Sequence, residues 1–283
     1  MSASDITVRA VGDVAGSRMI QEVERRTWGA EETDILPTHI LVTLAKNGGL
    51  VLGAFAPAGP AATGGMVGFV VGWLGTTPAT TTAPPRIKHC SHIAGVLPEW
   101  QGRGIGRQLK LAQRQAVLDQ GITEHVTWTY DPLYHTNGAF NLHCLGAVST
   151  TYIRNIYGEM TDALNAGVPT DRCQVDWYLR SPRVCNAVAD APIACIWDFS
   201  AMEIVAPPPT PAALQFDGRP VALPLPEDIA TLRRQQRERL LEWRLFLRAA
   251  LEQAFAAGYM LVDCVELPGR GRHYIVEPRN ACK

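Results

Sequence analysis

The chain of 283 residues has little charge, no surplus of either sign and no long apolar run. Charged residues make up 19%, below the usual quarter, and 26 basic residues nearly cancel 27 acidic ones for a net charge of -1. No global field therefore draws the chain to nucleic acid or to an anionic membrane. Its longest apolar stretch, residues 66–74, is too short to cross a bilayer, and residues 1–5 lack the basic-then-apolar pattern of a signal peptide. A cytoplasmic protein with neither a nucleic-acid nor a membrane partner is the expectation. The seven cysteines (90, 144, 173, 185, 195, 264 and 282) are odd in number, scattered, and form no Cys-x-x-Cys. That argues against a disulfide framework and a structural zinc site, and for reduced, mostly buried thiols.

What the chain does have is 47% hydrophobic residues, with 25 glycines and 20 prolines that predict long ordered loops. At about 150 residues per domain the length allows two domains or one large one. The run Pro207-Pro208-Pro209-Thr210-Pro211 reads as an extended spacer, so the expected division is 1–205 and 206–283.

Periodicity predicts a short strand at 8–11, helices at 14–28 and 39–46, and a hairpin of strands at 50–55 and 66–74. A strand at 87–97 follows, then a helix at 104–120 whose Ile105, Leu109, Ala112 and Ala116 share one face. Strands are expected at 124–130, 148–153 and 173–179. Beyond the spacer the pattern gives a strand at 220–225, a strong helix at 237–257 with Trp243 and Phe255 in the core, and strands at 259–265 and 274–276. This β-α-β-β tail is expected to extend the main sheet. The arginine-rich stretch 233–239 reads as exposed surface.

The most informative stretch runs from Val96 through Pro98, Glu99 and Trp100 into Gln101-Gly102-Arg103-Gly104-Ile105-Gly106, where a strand enters a glycine-rich turn that opens a helix. Glycines remove the Cβ atoms that would keep a ligand off the backbone, so amide N–H groups can converge on an anion at the helix N-terminus. Arg103 and Arg107 stand beside this cradle, and Lys110 and Arg114 continue a basic strip that reads as a solvated helix face. A Walker loop needs Lys-Ser/Thr after its last glycine, and the dinucleotide fingerprint needs glycine where Arg107 stands, so both fail.

The stretch instead resembles the Gln/Arg-x-x-Gly-x-Gly signature of the GNAT acyltransferases, with the Val-x-Pro-Glu-aromatic lead that often accompanies it. The resemblance covers residues 6–179. It implies an α/β fold of the α+β type, with a mixed, mostly antiparallel sheet, flanking helices and a tail like a partial GNAT half. Ser91-His92, Asp131-Pro132-Leu133, Asn137 to Gly146, Gly158-Glu159-Met160 and Glu242-Trp243-Arg244 resemble a less characterised branch with such an appended unit. The resemblance implies acyl-CoA as co-substrate, with no metal, and an acetyl or small acyl group transferred to the primary amine of a small molecule. Gln101, Gly102, Arg103, Gly104, Ile105 and Gly106 would bind the pyrophosphate, with Arg107 near. Ile93, Gly95 and Val96 on the fourth strand would hold the thioester carbonyl and the pantetheine arm, with Asn137 and Asn141 across a splay in the sheet. Transfer to a thiol or a carrier protein, or acyl-CoA binding without chemistry, are the alternatives.

One departure from the family pattern stands out. The tyrosine that usually protonates the departing thiolate, four residues before the Gly of a Leu-Gly-Phe, is Leu142 here, and Ala147 replaces the Phe. Tyr134, Tyr152 and Tyr157 are the possible substitutes.

For the base, His92 on the fourth strand suits the role because imidazole titrates near neutrality; its alternative is a packed strand histidine. His89 falls on the opposite face by strand alternation. Asp131 could bind the amine or act as a base, or could simply form a turn before Pro132, and Asn137 and Asn141 could equally cap helices. Asp131, His135 and His143 fit no standard metal spacing. Cys90 and Cys144 have no paired base at a recognisable spacing.

Overall fold

In the computed structural model, residues 5–29, 32–79, 84–158, 168–189, 197–209 and 214–279 are described. Glu159, Met160, Cys195 and Cys282 lie outside them. The fold is α+β, with mixed, mostly antiparallel strand pairing and flanking helices. The chain divides into two compact units, Met1–Thr127 and Trp128–Lys283. That boundary falls inside a strand, and residues 205 and 206 both lie in unit 2.

Unit 1 contains β1 (Thr7–Ala10), α1 (Val14–Trp28), α2 (Thr38–Lys46), β2 (Leu50–Phe55), β3 (Met66–Thr76), β4 (Ile87–Val96), α3 (Ile105–Gln120) and the first residues of β5 (His125–Tyr130). The strands lie in sequence order, antiparallel through β4. The β4–β5 pair is parallel, and a parallel pair needs a crossover, which α3 supplies.

Asp13 caps α1 by accepting a 2.7 Å bond from Gly16 N, and Gly29 ends the helix in the left-handed region. Ile20 and Val23 on α1, Leu41 on α2, Phe69 and Val70 on β3 and Leu109 on α3 are all within 1% of full burial and form one core. The two faces of β3 alternate strictly. A Cβ on Gly68 would strike Leu109 of α3, whereas Phe69 meets Trp28 of α1 edge-on at 6.1 Å.

Unit 2 contains a single turn α4 (His135–Gly138) continued by a π-helical stretch at Ala139–Cys144, then β6 (Val148–Ile153), β7 (Arg172–Tyr178), α5 (Pro182–Val188), β8 (Glu203–Ile204), β9 (Val221–Pro224), α6 (Ile229–Gln235), α7 (Arg237–Ala256), β10 (Tyr259–Leu267) and β11 (Gly271–Pro278). Strand order is β7-β6-β10-β11-β9-β8. The tail is thus continuous with strands before the proline run, because Leu261 of β10 pairs with Ser149 of β6. The α7 stripe behaves as its spacing requires: Leu240, Trp243, Leu247 and Leu251 are buried, while Phe255 is only half-buried. Among the described residues no helix is long and apolar enough to cross a membrane.

Candidate functional site

The glycine-rich turn is built by four local devices. Leu97 N donates to Val67 O at 3.0 Å and ends β4 against β3, and Pro98–Trp100 makes one 3-10 turn that buries Trp100. Gln101 folds back, its Nε2 donating to Val96 O at 3.0 Å. Gly102 and Gly104 sit at φ 74° and 77°, in the left-handed region that glycine enters without steric cost. Gly104 O then accepts from Gln108 N at 3.1 Å and starts α3, while buried Ile105 anchors the first turn in the core.

That geometry suits an anion. A Cβ built on Gly102 or Gly104 meets nothing within 4 Å, so the space over the turn is open, and Gln101 to Gly104 are exposed. No side chain caps the first amides of α3, whose dipole and N–H groups favour negative charge there. Arg103 is held at the rim: its Nη2 donates to Glu99 O at 2.9 Å and its guanidinium lies 4.8 Å from the Trp100 ring centroid. Gly106 and Arg107 are half-buried in the first turn of α3. The residues present therefore fit a pyrophosphate.

Just upstream, β4 carries a bulge. Val71 pairs with Ile93 but Gly72 with Ser91, leaving His92 as the extra residue. A bulge re-aims a side chain. His92 is exposed, its ring tilted against Trp73 at 4.8 Å between centroids, and partial burial of the ring pushes its pKa below the ordinary histidine value. The recorded ladder between β4 and β5 has two positions, His89 with Val126 and Cys90 with Thr127. Ile93, buried Gly95 and Val96 lie beyond it, on the segment that leads into the turn.

The face of β4 turned to α3 holds a polar cluster that sequence reasoning missed. Lys110 is not on a solvated strip but buried, its Nζ donating to Ser91 Oγ at 3.0 Å and Gln113 Oε1 at 2.8 Å. Ser91 Oγ also donates to Gln113 Oε1 at 3.1 Å, and Gln113 Nε2 lies 3.2 Å from His89 Nε2. Burial lowers the Lys110 pKa to about 7, and burial, then the charge of Lys110, lowers that of His89 to about 4. Gly72 makes the room, since a Cβ there would fall 2.4 Å from His89 Nε2. The available signal was Lys110 five residues after Ile105, between two core positions of α3.

Unit 2 holds the remaining expected residues. Asp131 is buried and bound bidentate by Arg244, at 2.9 Å to Oδ1 and 2.7 Å to Oδ2. Its Oδ1 also accepts from Leu133 N at 2.9 Å, the turn bond expected before a proline. Both of its oxygens are thus engaged within the fold. Asn141 is buried and accepts from Trp128 Nε1 at 3.2 Å through Oδ1, while Asn137 is exposed on α4. Among the candidate acids, Tyr152 donates its hydroxyl to Asp171 Oδ2 at 2.8 Å, and burial pushes its pKa far up. Burial likewise raises that of half-buried Tyr134. Tyr157 is exposed, its hydroxyl 3.3 Å from Thr129 Oγ1. Leu142, at the usual tyrosine position, is fully buried.

No protein-family model matches the chain, and no curated protein matches it. Solved structures do resemble it. An N-acetyltransferase from Staphylococcus aureus Mu50 is 14% identical with a TM-score of 0.45, the likeness covering 62% of this chain and 99% of that one. Arabidopsis thaliana NAA60 in complex with acetyl-CoA is 12% identical with a TM-score of 0.46, covering 61% and 99%. An acetyltransferase of the GNAT family from Streptococcus pneumoniae is 12% identical with a TM-score of 0.43, covering 60% of this chain and 98% of the other.

Proposed function

We propose that this chain is an acyl-CoA-dependent acyltransferase of the GNAT type, moving an acetyl or small acyl group to the primary amine of a small molecule. The observation that carries the reading is the turn Gln101–Gly106: two left-handed glycines whose Cβ positions open onto free space, immediately before the uncapped N-terminus of α3. Its amides, with Arg103 and Arg107 beside them, would hold the pyrophosphate of the co-substrate. Ile93, Gly95 and Val96, past the last β4–β5 pair, would offer backbone groups to the pantetheine arm and the thioester carbonyl.

His92 would take the proton. In its neutral form it accepts a proton from the attacking ammonium, freeing the nitrogen lone pair for the carbonyl carbon. The new C–N bond forms as the C–S bond breaks, and the electron pair leaves on sulfur. A lowered pKa keeps more of the imidazole neutral at pH 7, which suits a base that must start deprotonated. Asp131 has no part in this step, because Arg244 holds it.

Calorimetry with CoA and acetyl-CoA tests the cradle. Binding by the intact protein and its loss in Gly104→Glu are expected; no binding, or unchanged binding in the variant, removes the assignment. Thiol release from acetyl-CoA in the presence of a panel of amines then separates an enzyme from a binding protein.

A further inference from the structure

We infer that the buried cluster of Ser91, Lys110 and Gln113 is a register lock on β4: it holds the bulge that turns His92 onto the α1 face, and its members are the positioning residues of the proposed base. The inference rests on the acyl-transfer reading for the role of His92, and on the strand register of unit 1 for everything else.

The bulge decides which face each residue of β4 takes. On β3, Gly68 looks to α3 and Phe69 to α1, so by alternation Gly72 faces α3 and Trp73 faces α1. From the pair Val71–Ile93, an unbroken ladder would set His92 opposite Gly72 and Ser91 opposite Trp73. His92 would then lie under α3 and Ser91 on the α1 side. The extra residue reverses both. Ser91 pairs with Gly72 and His89 with Leu74, so both come under α3, while His92 is left against Trp73 at 4.8 Å between ring centroids. A slip of one residue would exchange the faces of every β4 residue before Ile93.

Helix α3 supplies the reason to keep the bulged register. Ser91 Oγ accepts from Lys110 Nζ at 3.0 Å and donates to Gln113 Oε1 at 3.1 Å, and Lys110 Nζ donates to the same Oε1 at 2.8 Å, which closes a triangle. Gln113 Nε2 extends it to His89 Nε2 at 3.2 Å. All four side chains are buried. In the slipped register Lys110 and Gln113 would meet Cys90 and His92 instead, and the hydroxyl between them would be gone. A buried polar group that loses its partner costs more than the bond gained, most of all when it carries charge. The opposing strand is matched to the same register. A Cβ on Gly72 would fall 2.4 Å from His89 Nε2 and 2.6 Å from Cys90 O, so only glycine fits across from the bulge.

Diethyl pyrocarbonate labelling of the full chain, mapped by peptide mass spectrometry, reads where His92 lies, with exposed His39 on α2 as internal standard. Ser91→Ala and Lys110→Met should each lower the His92-to-His39 labelling ratio at least about threefold, by admitting the register that puts the ring under α3. Ser91→Ala is the mild variant should Lys110→Met fail to fold. In thiol release from acetyl-CoA, kcat should fall at least about tenfold while KM for acetyl-CoA stays within about twofold, because the glycine turn is untouched. Ser91→Thr, which keeps the hydroxyl, should restore most of both. Ile20→Val, which thins the same core from α1, should move neither in the folded chain. A labelling ratio in Ser91→Ala equal to that of the natural chain, an equal fall in Ile20→Val, or a Ser91→Thr that behaves like Ser91→Ala overturns the lock. A fall in labelling with kcat unchanged overturns the positioning role. If the natural chain releases no thiol, the acyl-transfer reading falls, and the labelling ratio by itself upholds or overturns the lock.

Discussion

Lys110 Nζ on α3 lies 3.0 Å from Ser91 Oγ on β4, so a lysine one turn into the helix that opens at the glycine turn points into the core of unit 1. The contact ties the helix behind the glycine turn to the strand residue next to the His92 bulge. It also places a titratable group where charge is expensive.

A pH dependence of stability follows from that burial. Lys110 has a folded pKa of about 7 against 10.5 in the free side chain. Between those values the unfolded state holds a proton that the folded state lacks, so stability should rise with pH from 7 towards 10, by up to about 1.4 kcal/mol per pH unit. His89, lowered to about 4 from 6.5, tilts the acid side the same way: stability should fall as pH drops from 6.5 through 4. Urea unfolding across this range should show both limbs in the natural chain. Lys110→Met should flatten the basic limb and, by removing a neighbouring charge, ease the acid one. An unchanged basic limb in the variant contradicts a buried, depressed lysine.

Backbone strain gives a second expectation. Gly102 and Gly104 occupy left-handed positions with free space around them, so an added methyl clashes with nothing and the cost is conformational. Gly104→Ala should cost about 1 kcal/mol in denaturant unfolding, and Gly104→Asn less, because asparagine tolerates this region. Were packing the reason for glycine here, asparagine would be the worse of the two.

Much of this framework was legible in the sequence, and the misses share a physical cause. Strands 50–55 and 148–153 and helix 14–28 fall where periodicity put them. The glycine turn was legible because backbone conformation there demands a residue type. Lys110 and Arg233 were misplaced because a charged residue reads as exposed until its partner is known, and Arg244 went unremarked as the partner of Asp131. Asp131 and Arg244 are separated by 113 positions, and no local pattern links them. The bulge at His92 was hidden for a related reason: strand alternation assigns faces correctly only while the register is unbroken.

The Asp131–Arg244 pair should dominate the stability of unit 2. Arg244 is 1% exposed and Asp131 7%, so removing one partner strands a buried charge, at a cost of about 3–5 kcal/mol. Arg244→Met should lower the unfolding free energy by that order. Glu252→Gln breaks a pair whose arginine is 61% exposed, and should cost less than about 1 kcal/mol. Comparable losses from the two variants would contradict the contrast in burial.

His92 is the residue on which the proposed chemistry is most exposed to test. As a base it must act in its neutral form, and partial burial pushes its pKa below the ordinary 6.5. The rate of thiol release should therefore climb with pH along an acid limb centred below 6.5 and then level off. His92→Ala should reduce kcat/KM by about 10²–10⁴-fold, the usual worth of a positioned general base, and should abolish the limb. Trp73→Ala supplies the sharper test, because Trp73 covers one side of the ring and takes no part in proton transfer. Opening that side to water should move the limb up towards 6.5 while leaving the plateau rate within a few-fold of that of the natural chain. A limb that stays in place in Trp73→Ala would mean that another group titrates. Full activity in His92→Ala would return the residue to the bland role of a strand histidine stacked on a tryptophan.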